Sequence, residues 1–437
     1  MSDSAEYRKR KLAVSAAADK PGCVYQAGET AFLAVSAAFV DGGEAHEGVL
    51  HIRLDNFGEC IFEECNVDLA RENPIRLAVT RATPGFMRVS VSSATPGIEI
   101  LENQGNPVGA FFFGVAFSPE KIRPATSCPE DFAHFWKDAI RRLHENVPAD
   151  PRVEFVPERS TGPCDYWRVS FATCGGRRVY GWLSEPKAEG AYPVRVTVPG
   201  AGIGEWAAGE DPARVNLTMT VHTYRQPDGD TSEAAEARQR LYDGQNAKFA
   251  RPCGVPGYFQ AGIHRSREDY FYYAALLGIN RAVNWLAQRP KCDLSAFCYS
   301  GTSQGGGIGI MLAALNRHIT SGAVFVPAIT GLLGFKVEGR QSGWPELVEN
   351  QLPENRAAAE QWAPYFDGAN FARLITCPIR FVVGFCDAVC PPHSVYSAYN
   401  VCPSPDKAIV HGIGMGHTVF DRLYRELDDW QRWGVRF

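Results

Sequence analysis

The chain has no surplus of positive charge. Its 44 Lys and Arg stand against 49 Asp and Glu, a formal net charge of −5 at pH 7. No basic field is available to neutralise a phosphate backbone, so no nucleic-acid partner is expected. Long apolar runs are missing as well. No stretch reaches the roughly 18 consecutive apolar residues of a spanning helix, so no membrane partner is expected either. The 13 cysteines follow no regular spacing, and there is no C-x-x-C pair with matching histidines to suggest a structural zinc site. Reduced thiols in a cytoplasm fit that usage, with a periplasmic or secreted location if a leader had been removed. The leader-like stretch "RKRKLAVSAAADK" has an apolar part too short and too poor in leucine for a signal peptide, and it reads as a β-strand. Phosphate-binding signatures are lacking: "GTSQGGG" has no Lys followed by Ser or Thr. Neither a metal nor a cofactor is expected.

What is present falls into two textures. Through about residue 120, short β-prone runs such as "KLAVSAA", "TAFLAVSAAFV", "GVLHIRL", "FMRVSVSS" and "GAFFFGVAF" alternate with turn signals such as "DGG", "DNFG" and "TPG". Roughly seven such strands predict a small all-β sandwich over residues 1–120, immunoglobulin-like in pattern. The immunoglobulin Cys and Trp signature is missing, since the first tryptophan is Trp136. Prolines 119, 124 and 129 then punctuate the chain before a helical pattern with Phe132, Phe135, Trp136 and Ile140 on one face. Beyond it, over residues 121–437, strand-like and helix-like runs alternate. That alternation predicts an α/β domain with a mostly parallel sheet and helices on both faces.

The chemistry gathers in "FCYSGTSQGGGIGIMLAAL". A strand is expected to end near Cys298 and a helix to begin near Gly305, and Gly301-Thr302-Ser303-Gln304-Gly305 between them fits G-x-S-x-G, the strand–turn–helix nucleophile elbow. In that turn the serine takes a strained backbone conformation, and the flanking glycines relieve crowding against neighbouring strand and helix. A serine hydroxyl needs a base, and the base needs an acid to orient it. On sheets that carry the elbow the order is Ser, then Asp or Glu, then His. "PIRFVVGFCDAVCPP" is an apolar strand followed by Asp387, and "KAIVHGIGMGHTVF" is a strand and glycine-punctuated loop carrying His417. Ser303, Asp387 and His417 are therefore the expected triad. His411 competes with His417 but falls in or at the end of the strand. His222 reads as a strand-end residue that could also line the pocket.

The backbone N–H of Gln304, at the start of the helix, is the expected first oxyanion donor. The loop after "YPVRVTVPG" offers the second, the N–H of Ala201, with Gly200 and Gly202 allowing close approach of a ligand. Trp206, further along that loop, is a candidate substrate-binding wall, with core packing the competing reading. Cys386 and Cys390 flank the acid, and Cys292 and Cys298 flank the start of the elbow strand; all read as structural thiols.

These residues resemble the acetyl xylan esterase and cephalosporin C deacetylase group of α/β-hydrolases, carbohydrate esterase family 7. The resemblance runs from about Ser127 onward and rests on "CPEDFAHFW", "DYFYYAALLGINRAVNWLAQRP", "GTSQGGG", "CDAVCPPHSVYSAYN" and "GMGH". The region upstream, from "VYQAGETAFLAV" to "AFSPEKIRP", is similar to the β-sandwich attached to some bacterial members. The resemblance implies an α/β-hydrolase fold and a serine esterase that removes small acyl groups, acetyl above all, from carbohydrates. Its triad falls on Ser303, Asp387 and His417. It also implies a homo-oligomer, typically a hexamer. Three positions depart from the family pattern: Pro199-Gly200-Ala201 replaces His-Gly-Tyr, Tyr224-Arg225-Gln226 replaces Arg-Gly-Gln, and Thr418 replaces the glutamate after the histidine. A serine peptidase, a longer-chain carboxylesterase, and a glycan-binding protein with an inactive hydrolase domain are the competing readings.

Overall fold

The computed structural model describes residues 10–42, 45–57, 61–101, 109–204 and 206–434. Its first nine strands are β1 (Arg10–Ala18), β2 (Val24–Tyr25), β3 (Thr30–Phe39), β4 (Val49–Asp55), β5 (Ile61–Asp68), β6 (Ile75–Thr80), β7 (Gly85–Ser93), β8 (Ile98–Ile100) and β9 (Ala110–Phe117). They form a four-stranded sheet in the order β6-β3-β1-β8 and a five-stranded sheet in the order β2-β9-β7-β4-β5. The stretch weighed as a leader is thus strand from Arg10 onward, and its earlier residues lie outside those described. Alternation sets the inward face: Ala31, Leu33, Val35, Ala37 and Phe39 of β3 are buried at every second position. The strands that no expected run covers are β2 and β8, of two and three residues and too short to carry a pattern, and β5, whose Glu63, Glu64, Asn66 and Asp68 break up the apolar run.

In β9 every residue from Phe111 to Phe117 is buried. Its second face is covered by the following part of the chain. The N–H of Gly114 donates to the carbonyl of Ile413 at 3.0 Å, and the ring of Phe86 on β7 packs edge-on to Phe385 at 5.1 Å between centroids. A continuous apolar run is what a strand buried on both faces requires.

The remaining strands are β10 (Arg152–Phe155), β11 (Cys164–Ala172), β12 (Arg178–Pro186), β13 (Tyr192–Val198), β14 (Val215–Met219), β15 (Cys292–Thr302), β16 (Ser321–Phe325), β17 (Ile379–Gly384) and β18 (Lys407–Gly412). They form one nine-stranded sheet in the order β10-β11-β12-β14-β13-β15-β16-β17-β18. From β14 to β18 every pairing is parallel, while β10, β11, β12 and β14 pair antiparallel. The helices are α1 (Phe132–Asn146), α2 (Ser232–Phe249), α3 (Phe271–Leu286), α4 (Gln304–Leu315), α5 (Arg356–Trp362), α6 (Gly368–Ala372), α7 (Pro392–Val401) and α8 (Asp421–Trp433). Alternate strand residues serve opposite faces. Val324, Phe381 and Val383 join the main core with α3 and α4, whereas Ala323, Phe325 and Val382 pack with Leu423, Leu427 and Trp430 of α8. No helix among the described residues is long and apolar enough to cross a membrane.

The elbow strand runs further than its sequence suggests. β15 continues to Thr302 because its parallel ladder with β16 extends to the Thr302–Phe325 pair. The helix accordingly starts at Gln304 rather than Gly305, leaving Ser303 alone in the turn.

Candidate active site

Ser303 has φ 56° and ψ −119°, a left-handed conformation that costs a non-glycine residue about 1–3 kcal/mol. Its neighbours hold it there. The Ser303 N–H donates to the Phe325 carbonyl at 2.9 Å, and the Ser303 carbonyl accepts from the N–H groups of Gly307 at 3.0 Å and Ala328 at 2.9 Å. Space is the second condition. A Cβ at residue 305 would land on the Val198 carbonyl oxygen, and one at residue 306 would lie 2.9 Å from the Cα of Pro327. The glycines therefore let α4 descend onto the ends of β13 and β16 and present Ser303 at the carboxyl edge of the sheet, where open α/β sheets place their sites.

On that edge the structure brings Ser303, Asp387 and His417 together. His417 Nε2 lies 3.0 Å from Ser303 Oγ, and His417 Nδ1 lies 2.9 Å from Asp387 Oδ2. The other carboxylate oxygen accepts from the N–H groups of Val389 at 2.8 Å and Cys390 at 2.9 Å. Asp387 is fully buried and His417 about one-third exposed, so the chain of contacts runs from the interior to an accessible hydroxyl. Burial alone would lower the pKa of His417. The hydrogen bond to Asp387 and its charge outweigh burial, and the net shift is upward from 6.5. The Asp387 bond fixes the proton on Nδ1, leaving Nε2 to accept from serine.

The loop after β13 passes directly over the nucleophile. A Cβ on Gly200 would lie 3.9 Å from Ser303 Cβ. The Gln304 side chain ties this loop to α4. Its Nε2 donates to the carbonyls of Pro199 at 3.2 Å and Gly200 at 3.3 Å, and its Oε1 accepts from the hydroxyls of Tyr258 at 3.0 Å and Tyr272 at 2.6 Å. The peptide unit is planar and trans, so with the Gly200 carbonyl turned toward Gln304 the N–H of Ala201 points the opposite way. Further along, His222 Nε2 lies 3.2 Å from the Gly202 carbonyl, and Nδ1 lies 3.0 Å from Gln245 Nε2. Burial lowers the His222 pKa to about 4. A neutral ring with its proton on Nε2 donates to Gly202 and accepts from Gln245. His222 is thus a loop anchor. His411 lies within β18 and bonds the Tyr396 hydroxyl at 2.6 Å. Trp206 lies away from the triad, on the wall of a cleft over β11 and β12.

The Cys390 Sγ, Asp387 and His417 ligand atoms all fall within 4.8 Å of one another, the one such cluster among the described residues. Asp387 is already committed to two backbone N–H groups and the imidazole. Burial pushes the Cys390 pKa well up, which keeps the sulfur a thiol, not the thiolate that binds metal. The arrangement is that of an acid, a base and a nucleophile.

A family model described as "Acetyl xylan esterase (AXE1)" matches residues 119–419. The chain belongs to the acetyl xylan esterase family. It is therefore a carboxylic ester hydrolase with the α/β-hydrolase fold. Among characterised relatives, the acetyl esterase Axe7A of Xylanibacter ruminicola is 28% identical over 324 residues, covering 72% of this chain and 69% of the relative. Two solved structures share the fold. An acetyl xylan esterase from Paenibacillus sp. R4 aligns with a TM-score of 0.59 at 20% identity, covering 72% of this chain and 98% of that one. Acetyl xylan esterase 1 from Thermoanaerobacterium sp. JW/SL YS485 aligns with a TM-score of 0.58 at 18% identity, covering 72% and 96%.

The Gln304 side chain, Tyr258, Tyr272 and His222 as loop supports were not legible in the sequence. They come from four separate segments and show no shared spacing. The one signal was a polar Gln in a stretch otherwise made of Gly and aliphatic residues.

Proposed function

We propose that this esterase removes acetyl groups from acetylated carbohydrate by way of a Ser303 acyl-enzyme. The observation that carries the proposal is the relay from Ser303 Oγ to His417 Nε2 at 3.0 Å and from His417 Nδ1 to Asp387 at 2.9 Å, in a member of the acetyl xylan esterase family. Ser303 Oγ attacks the ester carbonyl while His417 takes its proton; the imidazolium, held by Asp387, returns that proton to the departing sugar oxygen. The oxyanion is met by the N–H of Gln304, at the positive end of α4, and by that of Ala201. Water, activated by His417, then attacks the acyl carbonyl and releases acetate and free Ser303.

Initial rates on an acetylated xylo-oligosaccharide and on the acetate, butyrate and octanoate esters of 4-nitrophenol test this reading. Wild type is expected to release acetate from the oligosaccharide and to favour the acetyl ester. Ser303→Ala is expected to lower both activities by at least about 10⁴. A wild-type optimum at octanoate would replace deacetylation with longer-chain ester hydrolysis, consistent with Ala201 standing where the family pattern has an aromatic residue.

A further inference from the structure

A cleft of about 340 Å³ opens on the antiparallel half of the nine-stranded sheet, lined among others by Tyr180, Arg168, Trp206, Glu154, Arg225 and Gln226. That volume is in the range of small-ligand sites. We propose that it is an accessory subsite for the carbohydrate chain that carries the ester, holding sugar residues beyond the one at Ser303. This rests on the deacetylase reading above and adds a second point of attachment to it.

Three observations converge on a polyhydroxylated ligand. The wall offers an indole and a phenol, those of Trp206 and Tyr180, flat apolar surfaces with a polar edge. The guanidinium groups do not form a free cationic field. Arg225 bonds Glu154 in a two-point pair at 2.9 and 3.2 Å, and Arg168 pairs with Asp228. The rim therefore presents N–H donors and carboxylate acceptors side by side, which suits hydroxyls of a neutral sugar better than an anion. Finally, one loop joins the cleft to the nucleophile. Gly200 covers Ser303, His222 pins Gly202, and Trp206 follows with its ring folded over Gly204, where a Cβ would meet it at 2.6 Å. Six residues of extended chain span at most about 20 Å, so the cleft lies within reach of a short oligosaccharide whose ester sits at Ser303.

The test compares Trp206→Ala and, from a separate element, Arg225→Ala with wild type. The readout is the ratio of kcat/KM on acetylated xylohexaose to kcat/KM on 4-nitrophenyl acetate, which is too small to reach the cleft. Each variant is expected to lower that ratio about fivefold or more, a loss of the size that one aromatic or charged contact provides, mainly through KM of the hexaose. Equal losses on both substrates would mean that Trp206 only shapes the oxyanion loop, and an unchanged ratio would mean that the chain does not occupy the cleft; either overturns the proposal. If wild type leaves acetylated xylohexaose intact, the deacetylase reading fails separately. Calorimetric titration of unsubstituted xylohexaose into wild type and Trp206→Ala then decides the subsite. Binding lost in the variant supports it, and no binding to wild type overturns it.

Discussion

At His417 two opposing effects meet, and in the proposed mechanism their balance sets the pH range of catalysis. Burial favours the neutral ring, Asp387 favours the charged one, and Asp387 prevails, raising the pKa above 6.5. The base must be unprotonated to accept from Ser303, so kcat/KM on 4-nitrophenyl acetate is expected to rise with pH along an acid limb whose midpoint lies above 6.5. Asp387→Asn should move that midpoint down and cost about 10⁴ in kcat through loss of the productive tautomer; a limb that stays in place would remove His417 from the role of base. The stability contribution runs the other way. A raised folded-state pKa stabilises the protein below the unfolded value of 6.5, and that contribution is lost as pH rises through the folded value. Gln304 is the second residue whose chemistry exceeds its sequence signal. Its side chain satisfies two loop carbonyls and two tyrosine hydroxyls, so Gln304→Ala leaves four polar groups without that partner. We expect kcat to fall about 10²-fold, the worth of one oxyanion donor, with a smaller change in KM in steady-state measurements. That Ser303, Asp387 and His417 would meet was legible because chain order and strand-end position are linear features. The Gln304 contacts were not, because they depend on which side of a fold Tyr258 and Tyr272 approach from.

Among the elements, the elbow and the loop after β13 show how much a few small residues decide. Gly301 and Gly305 follow from the motif, but Gly306 and Gly307 have meaning only beside β16 and the segment after it, where Cβ atoms would meet Pro327 and Ala328. At residue 305 the obstruction is the Val198 backbone, which cannot rotate aside as a side chain can. Gly305→Ala is therefore expected to lose more than the 1–3 kcal/mol typical of overpacking and to unfold at lower urea concentration than Gly322→Ala, whose Cβ would meet Ile379 at an ordinary 3.4 Å. The loop after β13 depends on His222, and its dependence is on acid. With a folded pKa of about 4 against 6.5 unfolded, the unfolded chain binds the extra proton between those values, so stability is present above 6.5 and falls away as pH drops toward 4. The shift corresponds to about 3 kcal/mol once fully lost. Urea midpoints measured down that range should fall for wild type and fall less steeply for His222→Gln. The antiparallel half of the sheet was less legible than the parallel half. β11 carries aromatic and charged residues on both faces, and β10 and β12 interleave theirs with Val153, Val179 and Leu183, whereas Val, Ile and Phe runs mark β16 and β17.

On the scale of the whole molecule, the two sheets of residues Arg10–Phe117 are fastened to the Asp387 side of the candidate active site. Pairs that no sequence period reveals make the joint: the Gly114 N–H on the Ile413 carbonyl, Phe86 on Phe385 and on Tyr396, and Phe57 against His393. The apolar run in β9 reads from sequence only as one more sandwich strand; that it is covered on both faces, and by what, comes from the structure. Phe385 stands two residues before Asp387 and His393 six after it, so the segment bearing the acid is braced from the side of the β-sheets. A Cβ at Gly114 would strike the Cβ of Phe385 and crowd its backbone carbonyl at 3.0 Å, and relief requires either the strand or the acid segment to move. Gly114→Ala is accordingly expected to lower stability by about 1–3 kcal/mol and to lower kcat more than KM, since the displaced group orients the base and does not touch the ester. Calorimetry on wild type should show a single transition, because one buried core runs through both parts of the chain. In Gly114→Ala the loss of kcat should accompany the fall in Tm. A variant whose Tm falls while kcat stays at the wild-type value would mean that the sheets merely adjoin the catalytic part and do not hold its acid in place.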